Sequence, residues 1–442
     1  MNVTYTYEQI LALASDASSA QAGKTLATPH KWLSLGRDNR SVWGECRGSG
    51  AKPYQAQIDL SEPAFKCSCP SRKFPCKHAL GLFLLLADQP ATIKSSMPPA
   101  WVTDWLHTRD ERAQKQAEKK ERLPKPVDTE AQSKRAAKRE AKIDAGIDEL
   151  DVWLRDLIRG GLAKAQTQSN SFWGTPAARL VDAQAPGLAR RVHELATIPA
   201  NGPGWQERLL DRLSRLHLLI EGYRQLDTLP DDVQLDVRTQ IGWTQNQDEV
   251  LAQAGVSDRW LVLGQRTTEE DRLRTQRIWL WGTRTQRPAL ILNFAYGTQP
   301  FSDISLLPST SVEATLVYFP GAYPLRALLK DRSGNAQAIN VIPGCTSLKE
   351  AYAAYAAALT QQPWLEQFPL SLVDVVPVQR DQRWFLRDRE DRVLPLTASF
   401  SKGWHLLALS GGRPITIFGE WNGDDLLPLS VWAADHFVRL SD

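Results

Sequence analysis

The stretch KCSCPSRKFPCKHALG, residues 66–81, places three of the chain's five cysteines and one of its seven histidines within twelve positions. No other segment of the 442 residues restricts the local fold as tightly. Cys67-x-Cys69, six intervening residues and Cys76-x-His78 form two close pairs. Structural zinc takes four thiolate or imidazole donors in a tetrahedron with bonds of about 2.0–2.3 Å, and this segment supplies that number. Alternate residues of an extended strand share a face, so Cys67 and Cys69 can approach one ion together. His78 then falls at the start of the helix that HALGLFLLLADQ predicts, and Pro70 and Pro75 reduce the freedom lost when the loop closes.

Two other readings compete. The cysteines can be ordinary buried side chains beside a surface histidine, or a redox dithiol. Close clustering with a histidine, in a chain whose cysteines are too few for a disulfide framework, favours metal. A redox pair is expected as Cys-x-x-Cys before a helix, which is absent from the sequence. Cys46 reads as a small hydrophobe near the cluster or as an exchanging ligand. Cys345, in IPGCTSLKE, precedes a helix start that can lower a thiol pKa, but no base can be named for it.

Around the cluster the patterning changes several times. KWLSLGRDNRSVWGECRGSGAKPYQAQIDL, residues 31–60, alternates apolar and polar positions between Gly and Asn, which predicts two or three short strands. Thr6 and Gln9 have the spacing of a capped helix, and no secretory signal is expected. PAWVTDWLHTRDERAQ predicts a helix whose Trp101, Trp105 and Leu106 fold back on this first unit. From Arg109 to Lys142 there are twelve Lys/Arg against seven Asp/Glu and few apolar side chains, so the chain's basic excess lies here, the rest of the chain being slightly acidic, and a linker is expected, with helix only in passing on either side of PKP. Ile143, Ile147, Leu150, Leu154 and Leu157, and then Leu209, Leu213, Leu216, Ile220 and Tyr223, recur at helical spacing. Further helices are expected in GLARRVHELATI and PDDVQLDVRTQIG, giving a small bundle.

From about residue 257 the period becomes two, in RWLVLGQR, RIWLWGTR, PALILNFAY and VEATLVYFP. SLKEAYAAYAAAL interrupts as a helix, opened by the capping-box spacing of Ser347 and Glu350. LSGGRP and EWNGDD signal hairpins, and RVLPL (392–396) and DLLPL (425–429) hint at two related ones. The expected fold is therefore α+β and multidomain: a zinc-finger unit of short strands plus helix (1–106), a charged linker (107–142), a helical bundle (143–256), and a mainly antiparallel β region with one or more helices (257–442).

The Cys-x-Cys, six residues, Cys-x-His arrangement, preceded by strands and followed by an apolar helix, resembles the SWIM-type zinc finger. The flanks VWGECRGSGAKPYQAQIDL and CSCPSRKFPCKHALGLFLLL are also similar to bacterial SWIM proteins that occur as stand-alone polypeptides. The resemblance covers about 40 residues. It implies one zinc held by Cys67, Cys69, Cys76 and His78, and a binding role towards DNA or protein. It also implies a candidate partner, a MoxR-type AAA+ ATPase or a von Willebrand A domain protein, since relatives are often encoded near these.

Between Pro63 and Ala87 stand Lys66, Arg72, Lys73 and Lys77 and no acid. These cations, with Phe74 as a stacking ring, suit an anionic partner. They also have a sufficient local cause, because three thiolates with Zn²⁺ leave a net negative charge that nearby cations stabilise. P-loop, zinc-protease, nucleophile-elbow and dinucleotide fingerprints are absent from the sequence, and His193 and His217 read as packed or boundary residues. The sequence thus predicts a cytoplasmic, non-enzymatic, zinc-binding adaptor for protein partners, without membrane association. The alternative is a DNA- or RNA-binding protein using the basic loop.

Overall fold

The computed structural model describes residues 7–11, 13–14, 17–48, 52–61, 64–71, 73–121, 129–200, 202, 204–297, 299, 301, 303 and 305–440. Helices α1 (Tyr7–Leu11) and α2 (Ala17–Leu26) precede strands β1 (Trp32–Arg37), β2 (Ser41–Cys46), β3 (Tyr54–Asp59) and β4 (Ala64–Cys67), followed by helix α3 (Lys77–Asp88). The strands form one antiparallel sheet in sequence order. Every residue of α3 from His78 to Leu85 is buried, so the helix needs cover on more than one side. Ile58 and Phe65 of the sheet share its core, and α2 crosses it closely. A Cβ on Gly81 would lie 2.6 Å from the Leu26 Cβ, so this crossing depends on glycine. The Thr6 cap expected for α1 lies outside the described residues.

Helix α4 (Ala100–Glu121) folds back on this unit, burying Val102 and Leu106 with Trp43 while Trp101 and Trp105 pack alongside. The buried Asp59 carboxylate binds Arg40 (3.3 Å) and Arg109 (3.2 Å), and Arg40 also pairs with Asp110 at 2.6 Å. The charged stretch is helical where described, through α4 and then through α5 (Thr129–Gly160). Its polar parts continue helices whose other ends are packed, with pairs such as Lys134–Glu130 on the solvated face. The PKP residues lie outside the described residues.

Helices α5, α6 (Asn170–Asp182), α7 (Pro186–Leu195), α8 (Trp205–Arg224) and α9 (Asp231–Ile241) share one core, and α10 (Gln247–Ala252) follows. Ile143, Ile147, Leu150, Leu154 and Leu157 of α5 meet Leu209, Leu213, Leu216 and Ile220 of α8 there. Tyr223 stays at the boundary, where its hydroxyl donates to Asp144 at 2.9 Å.

Strands β5 (Val256–Glu270), β6 (Leu273–Gly282), β7 (Pro288–Tyr296), β8 (Thr310–Tyr318) and β9 (Arg326–Ala338) close a barrel in the order β5-β6-β7-β9-β8. All neighbours are antiparallel except β7 and β9, which pair in parallel through Leu290↔Arg326 and Ile291↔Ala327. Trp260, Val262, Ile278, Leu280, Ile291 and Leu316 fill the interior. Helix α11 (Leu348–Gln361) follows; Ser347 Oγ accepts from the Glu350 N–H (3.2 Å), and the Glu350 carboxylate accepts from the Thr346 N–H (2.8 Å), one residue before the capping-box donor. Strands β10 (Phe368–Arg380), β11 (Arg383–Arg387) and β12 (Val393–Pro395), helix α12 (Gly403–Ser410), and strands β13 (Ile415–Trp421), β14 (Leu426–Ala433) and β15 (His436–Arg439) complete the chain. These strands form an antiparallel sheet ordered β12-β11-β10-β13-β14-β15, in which the hairpins carrying RVLPL and DLLPL flank β10.

Buried Glu420 of β13 fastens this sheet to the barrel, accepting from Arg277 Nε and Trp279 Nε1, each at 2.8 Å. Trp364 enters the bundle core and donates its Nε1 proton to the Arg215 carbonyl at 3.0 Å. Glu366 pairs with Arg190 (2.6 Å) and Arg191 (2.9 Å). Among the described residues no helix is long and apolar enough to cross a membrane.

Asp236 of α9 is 7 % exposed and accepts from the Ala322 N–H (2.8 Å) and the Gln362 amide (3.3 Å), so it ties the bundle to the β region. Burial raises its pKa from 3.8 to about 6. The folded chain therefore favours the protonated carboxyl: its contribution to stability is complete below pH ~4 and is lost as the pH rises through about 6. That rise corresponds to about 3 kcal/mol. Asp236→Asn should raise the thermal midpoint at pH 8, leave it nearly unchanged at pH 4, and flatten the dependence between, as followed by scanning calorimetry.

Candidate metal centre

The cluster is built by a strand end and a helix start. Cys67 closes β4 opposite Ala56 of β3. Beyond it the Ser68 N–H donates to the Gln55 carbonyl and the Gln55 N–H to Ser68 Oγ, both at 2.9 Å. Cys69 is thereby held one residue beyond a fixed strand edge. Cys76 is the N-cap residue of α3, in extended conformation (φ −74°, ψ 164°), and His78 lies in the first turn. Their carbonyl and side chain are anchored by the helix that buries against the sheet, with the Leu80 N–H on the Cys76 carbonyl at 3.0 Å.

One ligand atom from each of Cys67, Cys69, Cys76 and His78 lies within 4.8 Å of the others. Cys67 Sγ and His78 Nδ1 are 3.8 Å apart. A zinc tetrahedron with Zn–S bonds of about 2.3 Å has sulfur–sulfur edges of about 3.8 Å, so the donor set fits one structural zinc. Cys76 and His78 are buried, at 5 % and 4 % exposure, and Cys67 and Cys69 are half-buried. Side-chain hydrogen bonds to Cys69 and Cys76, and then burial, push the Cys67 thiol up. Hydrogen bonds from Cys67 and Cys76 hold Cys69 far below an ordinary thiol, with the Ser71 N–H contributing. Three crowded sulfurs sharing protons in this way are a site that exchanges protons for a metal ion.

The flanks differ in their roles. Lys66 and Lys77 are exposed, and Arg72 lies outside the described residues. Phe74 is half-buried and packs edge-on against Phe65, with centroids 6.1 Å apart, so its ring serves the core beneath the loop. Tyr54 tilts against the His78 ring at 5.0 Å, a contact that the sequence pattern does not disclose because it depends on the β2–β3 turn. Cys46 is buried in the core, with a thiol raised by burial, and stands outside the four-residue cluster. Burial also raises the Cys345 thiol, the opposite of the lowering that a helix start can produce. His193 and His217 are exposed, the latter 3.9 Å from Asp151.

Residues 58–87 match the family model of the SWIM zinc finger. Residues 138–241 match that of the SWIM-associated four-helix bundle domain. The first match spans the cluster and α3, and the second spans the bundle from within α5 to the end of α9. No curated protein matches the chain, and no solved structure does. The SWIM zinc finger implies zinc, and Cys67, Cys69, Cys76 and His78 would hold it.

Zinc bound by such small units can contribute ~10 kcal/mol or more to folding. Elemental analysis of the purified chain should give one zinc per chain, and Cys69→Ala or His78→Ala should abolish it. Chelation or acidification, which protonates the donors, should release the ion and unfold the first unit while the bundle's helical circular dichroism persists.

Proposed function

We propose that this chain is a zinc-binding adaptor without catalytic activity, which works by holding protein partners. The observation that carries the reading is the closed donor set. Three cysteines and a histidine complete a tetrahedron and leave no position for a reacting water, as in zinc sites that organise structure. Cys67, Cys69, Cys76 and His78 act in this reading as the ligands, joining the end of β4 to the start of α3. The described residues between these ligands are then held at both ends by the ion, where a partner can close on them.

In this reading the chain works in the cytoplasm as four units: finger (1–106), linker (107–142), bundle (143–256) and β region (257–442). The resemblance of the finger to bacterial stand-alone SWIM proteins makes a MoxR-type AAA+ ATPase or a von Willebrand A domain protein the first partner to test. The inward packing of Phe74 takes away the stacking ring that a nucleic-acid role for the loop needs.

Crosslinking and co-purification from the native host, quantified by mass spectrometry, tests the proposal. The expected outcome is a stoichiometric protein partner whose recovery falls at least tenfold with Cys67→Ser or His78→Ala. A partner recovered equally well without the zinc site, or turnover of a substrate by the isolated chain, would refute it.

A further inference from the structure

The barrel's strands close in the order first, second, third, fifth, fourth, with the third and fifth parallel. This is the strand order of the Greek-key OB barrels, which take oligonucleotides or oligosaccharides on the face of their second and third strands, here β6 and β7. Strand order alone assigns no function, so the case rests on what stands on that face.

Side chains of β7 alternate. Ala289 and Ile291 fill the barrel, and Ala295 is buried in the same phase, while Leu290, Leu292, Phe294 and Tyr296 point outward. The first two outward residues are packed against the C-terminal core and floor a cleft of about 510 Å³. The next two rings are free, 47 % and 58 % exposed. Register places Thr275 beside Phe294 and the exposed Leu273 beside Tyr296. Residues two apart on a strand are separated by about 6.7 Å. An extended single strand can match that step, whereas bases stacked in a duplex at about 3.4 Å cannot.

The cleft at the other end of this track is rich in guanidinium groups. Arg277 of β6, Arg190 of α7 and Arg326 of β9 line it, with Trp243 and Tyr323. Arg277 is held by Glu420 and Arg190 by Glu194 and Glu366. Arg326 lies over the Phe319 ring, 4.1 Å from its centroid, and pairs with no carboxylate among the described residues. Of the acids on the wall, Glu366 is paired with two arginines and Asp236 is turned to Ala322 and Gln362. A half-buried cation without a counter-ion, in line with two exposed rings, calls for an anionic ligand with flat faces.

We propose that the β6–β7 face binds single-stranded nucleic acid, with bases on Phe294 and Tyr296 and a phosphate at Arg326. From Leu290 to Tyr296 the track is about 20 Å long, room for about four nucleotides, the low end for one such barrel. The site is separate from the finger and does not rest on the adaptor reading.

The test is fluorescence anisotropy of fluorescein-labelled dT12, rU12 and a 12-base-pair duplex with the full-length, zinc-loaded chain, between 50 and 200 mM salt. Single strands should bind more tightly than duplex, with affinity falling as salt rises. At about 1 kcal/mol or more per stacked base, Phe294→Ala with Tyr296→Ala should weaken binding on the order of 30-fold. Arg326→Ala should also weaken it and reduce the salt slope by about one. Reversing Lys66, Lys73 and Lys77 to Glu should leave single-strand binding unchanged. Absence of binding at 50 mM salt, preference for duplex, loss caused by the finger reversal alone, or binding of a neutral oligosaccharide or a peptide in place of dT12 would each overturn the proposal. Because Phe294 and Tyr296 are exposed, an unchanged thermal midpoint in that double variant shows that any loss is local.

Discussion

Helix α3 has no polar face between His78 and Leu85, and that fact organises the first hundred residues. A helix of this kind cannot rest on a single layer, because its second side would then stand in water. It is covered by α2 across Gly81 and by the sheet on which Ile58 and Phe65 present their side chains. The metal cluster stands where the covered helix begins, so the donors of Cys76 and His78 are positioned by burial, and those of Cys67 and Cys69 by the β3–β4 ladder. An ion at this point would tie the end of β4 to the start of α3, beside the core that sheet and helix already share.

The remaining units are joined by side chains that serve two cores. Trp364 leaves the β region to complete the bundle core, and Arg190 and Arg191 meet Glu366 beside it. Glu420 does the same between sheet and barrel, satisfying an indole and a guanidinium from one buried carboxylate. Charges withdrawn from water in this way are costly to leave single, so removing one partner at either joint leaves the other buried and uncompensated.

Much of this was legible in the residues. The ligand set is local, with all four donors within twelve positions, and local spacing is what a sequence states most directly. Helices α5 and α8 were equally plain, because their buried stripes repeat at 3.6 residues. Helix α6 was hidden by Gly174 and Pro176, residues that ordinarily punctuate loops, although Trp173, Ala177 and Leu180 carry its buried face. Helix α12 was hidden by its shortness and by LSGGRP, which reads as a hairpin but forms the end of the helix, with Gly411 as its left-handed C-cap before β13. The charged stretch read as a linker because its composition cannot bury itself; it is helical because Val102 and Leu106 at one end and Ile143 at the other are packed. The barrel's closure lies beyond any local pattern, since it pairs Leu290 with Arg326 across 36 positions. The positions of Phe294 and Tyr296 outside that barrel follow only once the closure is known.

That closure also determines where the barrel is weakest. Its β5–β6 side is a long ladder with one register shift between Val262 and Gly264, while β7 and β9 meet through two residue pairs, Leu290↔Arg326 and Ile291↔Ala327. Slow opening by local fluctuation favours such a short seam, where few backbone hydrogen bonds must break together. Amide protons of β7 and β9 near the seam should therefore exchange with solvent sooner than those of β5 and β6. Arg326 and Leu290 belong both to this joint and to the cleft, so the cleft wall and the barrel's shortest seam are made of the same residues.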